Sequence, residues 1–281
     1  MENNKWINFC EKQIPELKRL YKKQTGKNLD LNNCRTLTEK IQWLKIYDSN
    51  PLKIKCSDKI LVRDYCKSKL GIDLFIPIIG IWDKFDDIDF SELPKDFVLK
   101  TNHGSHTNII VRNGVLDKVS AKKKFESWLS KDWSWYGKEM AYYPIERKIF
   151  AEKFVKDKSN GELTDYKFLC FNGEPKYCQV INDRGNKGFH LNYYDMDFNF
   201  VDISRTDVQN NPNSLDKKPS SFDIMKKYAK ILSEDFNFVR VDFYEIDANP
   251  YLSELTFFPA AGFQQYKNPE TDLFLGSILK I

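Results

Sequence analysis

The chain has 281 residues, room for one large domain or two small ones at about 150 residues per domain. With 41% hydrophobic, 30% charged and 15% aromatic residues and only 12 Gly and 11 Pro, it is globular rather than disordered or collagen-like. Its 44 Lys and Arg against 40 Asp and Glu leave a formal charge of +4. That balance excludes a nucleic-acid binder working mainly by phosphate neutralisation, but not a local anion site.

Cys10, Cys34, Cys56, Cys66, Cys170 and Cys178 form no Cys-x-x-Cys pair, so neither a zinc ribbon nor a disulfide framework is expected, and reduced cytoplasmic thiols are. The N-terminal stretch lacks the apolar core of a signal peptide, and the longest apolar run, 75–82, is interrupted by Pro77. A soluble protein without a transmembrane segment is therefore expected.

Residues 5–47 read as a small helical head, because Trp6, Phe9, Ile14, Leu17, Leu20 and Tyr21 recur near helical spacing and LTEKIQWLKIY repeats the pattern after a break at 26–33. Its basic residues Lys18, Arg19, Lys22, Lys23 and Lys27 read as a solvated face, with an anionic membrane surface or an acidic partner as the alternative. A second helix is expected from Ser57 as N-cap to a stop at Gly71, with Lys59 and Arg63 on one face. FIPIIGIW, FVLK and NIIV predict strands, and a helix over 119–130 turns Phe125 and Leu129 inward. IFAEKFV, YKFLCF, KYCQVI and LNYYDM predict an antiparallel sheet with turns at NGEL, NGEP and DRGNKG. A polar loop over 207–221 leads to a helix at 222–235 and a last hairpin across Asp247-Ala248-Asn249. The mixture predicts an α+β fold.

The hairpin carries the clearest chemistry. Strand alternation puts Arg240, Asp242 and Tyr244 on one face and Val239, Val241 and Phe243 on the other, while Leu252, Glu254 and Thr256 share a face of the return strand. A three-residue loop then sets Asp242 opposite Glu254 and Arg240 opposite Thr256. Facing carboxylates repel unless a cation lies between them, so either a hard divalent metal sits there or Asp242 pairs with Arg240 or a distant lysine in an ordinary sheet.

In FVLKTNHGSHTNIIV a strand ends at Lys100 and a loop carries Gly104 and Ser105, a combination that can cradle phosphate although it is no Walker A sequence. His103 and His106 lack further ligands at zinc spacing, and without a Gly-x-Ser-x-Gly elbow nucleophilic catalysis is disfavoured. Glu152, taken alone, is a solvated carboxylate on an edge strand. The aromatic residues from Trp128 through Trp133, Trp135, Tyr136, Tyr142 and Tyr143 serve packing or stack sugars or bases.

Taken in order, SDK at a helix start, VLKTNHGS, AEKFV and RVDFYEIDANPYLSELTFFPAAG resemble four blocks of the ATP-grasp superfamily of carboxylate-amine ligases over about residues 55–265. EKIQWLKIYD, SDKILVRDY, LKTNHGS, DYKFLCFNGEPK and ELTFFPAAGF look like its TupA-like branch, linked to teichuronopeptide and capsular polysaccharide biosynthesis. The resemblance implies two α+β subdomains with antiparallel sheets clamping ATP: a helical segment at 1–55, a phosphate-loop subdomain at 56–150, and a subdomain with adenine and metal sites at 151–281.

It also implies roles for residues. Lys59 and Lys100 would contact phosphate, and His103, Gly104 and Ser105 would cover the ATP phosphates. Glu152 would receive the adenine amino group, with Lys153, Phe154 and Val155 offering backbone hydrogen bonds, and Asp165 would bind ribose. Lys167 would point toward the phosphates. Asp242 and Glu254 would hold Mg²⁺, with Thr256 where many relatives carry a metal-binding Asn, and Arg240 would face the anion of acyl transfer.

The implied partners are a small-molecule carboxylate, a uronic-acid sugar, and an amine, with Trp133, Trp135 and Tyr136 packing on the sugar and with peripheral association with polysaccharide-assembly machinery. A metal-dependent glycosyltransferase with a nucleotide-sugar donor is the alternative, and a noncatalytic glycan-binding module a third reading.

Overall fold

The computed structural model describes residues 3–156, 163–182, 190–213 and 215–281. The expected turns at 159–161 and 183–188 lie outside the described residues.

Five helices come first: α1 (Asn3–Glu11), α2 (Ile14–Thr25), α3 (Leu37–Tyr47), α4 (Pro51–Ser57) and α5 (Val62–Leu70). Local signals set their ends. Gly26, at φ 76°, closes α2 by donating its N–H to the Lys22 carbonyl, and Thr36 and Glu39 form a reciprocal capping box on α3. Asn50 caps α4 with Pro51 in its first turn.

This corrects the expected helix from Ser57. Ser57 ends α4, and the Asp58 carboxylate accepts the N–H groups of Ile60 and Leu61 before α5 begins at Val62. The Asn50-Pro51 start signal outweighs the weaker Ser57-Asp58 pair. Gly71, at φ 73°, stops α5 as expected.

A four-stranded antiparallel sheet follows, in the order β1-β4-β2-β3, from β1 (Ile78–Trp82), β2 (Phe97–Thr101), β3 (Asn108–Val111) and β4 (Ile149–Lys153). Its inward residues Phe97, Leu99, Val111, Ile149 and Ala151 pack against Phe125 of α6 (Lys118–Ser130). β4 straddles the expected boundary at 150/151 and pairs within this smaller sheet. The short α7 (Ser134–Gly137) lies between α6 and β4 in the chain.

The larger sheet is six-stranded and antiparallel, in the order β10-β9-β5-β6-β7-β8: β5 (Asp165–Phe171), β6 (Glu174–Asn182), β7 (His190–Tyr194), β8 (Phe200–Val201), β9 (Phe238–Ile246) and β10 (Asn249–Thr256). One face buries Phe168, Cys170, Val239, Val241 and Phe243 with Phe222, Met225 and Leu232 of α8 (Phe222–Ser233). Thr38 of α3 bonds through backbone and hydroxyl to Asp272 of α9 (Pro269–Ile278), and Leu37, Ile41 and Leu44 join the main core. The helical head is thus built into the body of the fold. All six cysteines are free thiols.

The last hairpin differs from expectation in its turn. Asp247 and Ala248, at φ 50° and 62°, form a two-residue turn, and Asn249 pairs with Ile246. A bulge at Ser253 then shifts the register, so Asp242 still faces Glu254 and Arg240 still faces Thr256. The extra residue also flips the alternation. Leu252 pairs with Phe243 and is buried, and does not share the face of Glu254 and Thr256.

Candidate active site

On the smaller sheet, strand alternation sends Val98, Lys100, Phe150 and Glu152 to the face opposite the core. Glu152 is not the solvated carboxylate of the isolated motif. It is buried and ion-paired to both Lys100 and Arg63, and Arg63 also donates to the Ile76 carbonyl at 2.8 Å.

The loop between β2 and β3 is tied to the start of α5. The Lys59 N–H donates to the Asn102 carbonyl at 3.1 Å, Asn102 Nδ2 donates to Asp58 at 2.8 Å, and Lys59 Nζ donates to the Gly104 carbonyl at 2.6 Å. A Cβ on Gly104 would lie 2.9 Å from both Trp133 Nε1 and Thr107 Cγ2, so only glycine lets the loop pack beneath that indole. Burial and then the charge of Arg147 bring the His103 imidazole down to about 4. At neutral pH it therefore offers no positive charge to a phosphate.

On the larger sheet, Tyr193, Gln179, Lys167, Asp242 and Glu254 form one row across five strands. The Lys167 ammonium donates directly to Asp242 and lies 3.1 Å from Asp165. In the next row Arg240 turns its Nε and Nη2 onto Asp242, both at 2.7 Å, and Nη2 reaches Thr256 at 3.1 Å. Asp242 is thus paired with the protein's own Arg240 and Lys167, the less exotic of the two arrangements its sequence allowed.

Two adjoining cavities lie over these faces. The smaller, about 330 Å³, is lined by Lys100, Glu152, Lys153, Phe154, Val155 and Asp165. The larger, about 1120 Å³, is lined by His103, Arg240, Thr256, Trp133 and Tyr136 among others. Lys59, Gly104, Ser105, His106, Lys167 and Glu254 line both, whereas of the other expected phosphate and metal contacts Lys100 lines only the smaller, His103 and Thr256 only the larger, and Asp242 neither. Asp242 is fully buried beneath the junction. Trp135 stands apart, turned to Tyr143 and, at 4.2 Å, to the Lys138 ammonium.

The donor set fits a magnesium ion only in part. Glu254 and Thr256 present hard oxygens to the larger cavity, but both Asp242 oxygens are taken by Arg240 and Lys167, and among the described residues no group of three or more His, Cys, Asp or Glu side chains could hold a metal. Such a set suits Mg²⁺ that completes its shell with nucleotide phosphates and water. Glu254 is a third exposed, and although burial raises its pKa, Lys59, Lys167 and Arg240 outweigh that and hold it down at about 2. It is a permanent anion facing the junction.

Several cavity residues carry no sequence signal of their own. Gln179 and Tyr193 join the row only through strand register, and Glu139 and Arg205 come from segments read as connections. The quoted block TFFPAAGF concealed an unusual backbone: Ala260, Ala261 and Gly262 follow one another at φ 49°, 49° and 66° on the wall of the larger cavity. Two side chains of α3 hold this left-handed turn, Gln42 donating to the Gly262 carbonyl at 2.6 Å and Lys45 to the Ala261 carbonyl at 2.6 Å.

Solved structures similar to this chain include D-alanine–D-alanine ligase from Bacillus anthracis complexed with ATP, at 16% identity and TM-score 0.42 over 72% of this chain and 55% of that one. The same enzyme from Helicobacter pylori is similar at 15% identity and TM-score 0.46 over 87% and 69%, and an L-amino acid ligase from Bacillus licheniformis at 14% and 0.47 over 76% and 46%. The chain thus spans 55% of the length of the first of these. No curated protein matches it. The model of the TupA-like ATP-grasp family matches residues 39–280, nearly the whole chain, and the protein belongs to that family.

Proposed function

We propose that this protein is a cytoplasmic ATP-dependent ligase that joins a carboxylate to an amine through an acylphosphate, the carboxylate being a uronic acid of a nucleotide sugar or glycan in polysaccharide biosynthesis. The observation that carries the reading is the meeting of the two cavities at Lys59, Gly104, Ser105, Lys167 and Glu254, with Arg240 and Thr256 on the larger side.

ATP would supply the phosphoryl group, and Glu254 and Thr256 at the cavity, with Asp242 buried behind them, would hold Mg²⁺, which would offset phosphate charge. The chain's own residues position and compensate charge. Lys59, Lys100 and Lys167 bring three ammonium groups to the smaller cavity and its junction, and Gly104 lets the backbone of the β2–β3 loop come close. Glu152 and the strand end at Lys153, Phe154 and Val155 form the wall for the base, where the Arg112 guanidinium fixes Phe154 at 4.1 Å from its ring. Asp165 lies beside them for the ribose.

Arg240 is anchored through Nε and Nη2, which leaves Nη1 without a hydrogen bond among the described residues. A guanidinium edge fixed in this way is preorganised for the oxyanion that forms when the amine adds to the acylphosphate. Trp133 and Tyr136, with ring centroids 5.5 Å apart on the larger cavity, offer an aromatic surface to a sugar.

The released nucleotide tests the reading. With a panel of uronates and amines, ADP and phosphate should appear from ATP only when both partners are present. Release of a sugar donor's nucleotide without ATP consumption would identify a glycosyltransferase instead.

A further inference from the structure

An acylphosphate is attacked by a neutral amine, whereas a free primary amine in water is an ammonium ion, so a ligase of this kind needs a group that binds the cation and takes its proton. Glu139 lines the larger cavity together with Tyr142, Arg240 and Glu254. Among the described residues its carboxylate accepts no hydrogen bond and forms no ion pair. The other carboxylate on that wall, Glu254, is already engaged by Lys59, Arg240 and Thr256.

The cation nearest in influence to Glu139 is Lys45, which is committed elsewhere. Its ammonium donates to Gln42 Oε1 at 2.8 Å, to the Gly137 carbonyl at 2.5 Å and to the Ala261 carbonyl at 2.6 Å, which uses all three of its protons. Gly137 makes room for the carboxylate, since a Cβ there would lie 2.7 Å from Glu139 Oε1 and 2.6 Å from the Ala261 methyl. Tyr142 lines the same cavity and feels the charges of Glu139, Glu254 and Arg240. The unpaired carboxylate therefore shares one cavity with Arg240 and Glu254. Burial pushes its carboxyl up, against the opposing charge of Lys45, toward the range of a working base.

We propose that Glu139 is the amine-receiving residue: it binds the ammonium group of a primary-amine substrate and accepts one of its protons. The proposal rests on the ligase reading. The freed nitrogen lone pair forms the C–N bond, the C–O bond to phosphate breaks with its electron pair going to phosphate, and the second nitrogen proton leaves with that phosphate. Glutamate and ammonium thus become glutamic acid and amide, with hydrogen phosphate as the other product.

Ethylammonium chloride serves as the probe in thermal denaturation, against equal concentrations of sodium chloride, with and without MgATP. The expected result is a rise in melting temperature specific to ethylammonium in the wild type, at least tenfold weaker in apparent affinity in Glu139→Gln and partly restored in Glu139→Asp. The increment from MgATP should be the same in all three proteins, which also shows that the variants are folded. An ethylammonium effect absent from the wild type, or equal in wild type and Glu139→Gln, overturns the proposal. Loss of the MgATP increment in the wild type, with the ethylammonium pattern intact, would instead remove the nucleotide reading and leave the ammonium site standing.

Discussion

Lys167 and Asp242 stand opposite each other in neighbouring strands, and the lysine donates directly to a carboxylate that has no exposed surface at all. Arg240 clamps the same carboxylate from its own strand. A charge buried so completely depends on both partners.

Lys167→Met should therefore destabilise the fold, by about 3 kcal/mol, because removing one partner strands part of a buried charge. Urea denaturation with an unchanged slope and a lower midpoint is the expected result. Glu254→Gln, at a side chain a third exposed, should shift the midpoint by under about 1 kcal/mol.

Gly104→Ala places a methyl group 2.9 Å from Trp133 Nε1. The loop must move to accommodate it, and MgATP affinity should fall about tenfold, equivalent to about 1.4 kcal/mol. Calorimetric titration distinguishes this from general destabilisation, since the melting temperature without ligand should change little.

Ala260 and Ala261 carry the cost of left-handed backbone, about 1 kcal/mol each for a residue with a Cβ. Ala260→Gly and Ala261→Gly should each raise stability by roughly that amount. A loss of stability in both would mean that the turn is held for its methyl contacts, one of which faces Gly137.

His103 makes acid sensitivity predictable. Its folded-state value, about 4, lies below the ordinary 6.5, so the unfolded chain takes up a proton first as pH falls. Its neutral form contributes fully above 6.5, and stability declines as pH drops from 6.5 toward 4. Glu254, held at about 2 against an ordinary 4.5, behaves in the same direction but lower: its contribution is present above 4.5 and lost as pH falls toward 2. His103→Gln should flatten the stability profile between pH 6.5 and 4 in urea titrations.

Strand alternation made much of the site legible beforehand. It placed Lys100 and Glu152 on strands, and Arg240 with Asp242 on one face, because period two follows from the backbone alone. The pairing of Asp242 with Glu254 was legible too, although two errors cancelled in it: the turn is one residue shorter than expected and the bulge at Ser253 adds that residue back. Leu252 exposes the difference, since it faces the core. Glu139 and Gln179 were not legible, because nothing local to them says what lies across the cavity. The same holds for the partners of Glu152, which come from α5 and β2.

The central claim is that the junction of the two cavities binds MgATP through Glu254. Thermal denaturation of the wild type and Glu254→Gln with MgATP tests it without knowledge of the acid, since a ligand at 100 times its dissociation constant adds about 2.7 kcal/mol. A magnesium-dependent rise in the wild type that is diminished in Glu254→Gln is the predicted result. No rise with millimolar MgATP, together with a rise from a nucleotide sugar, would contradict it.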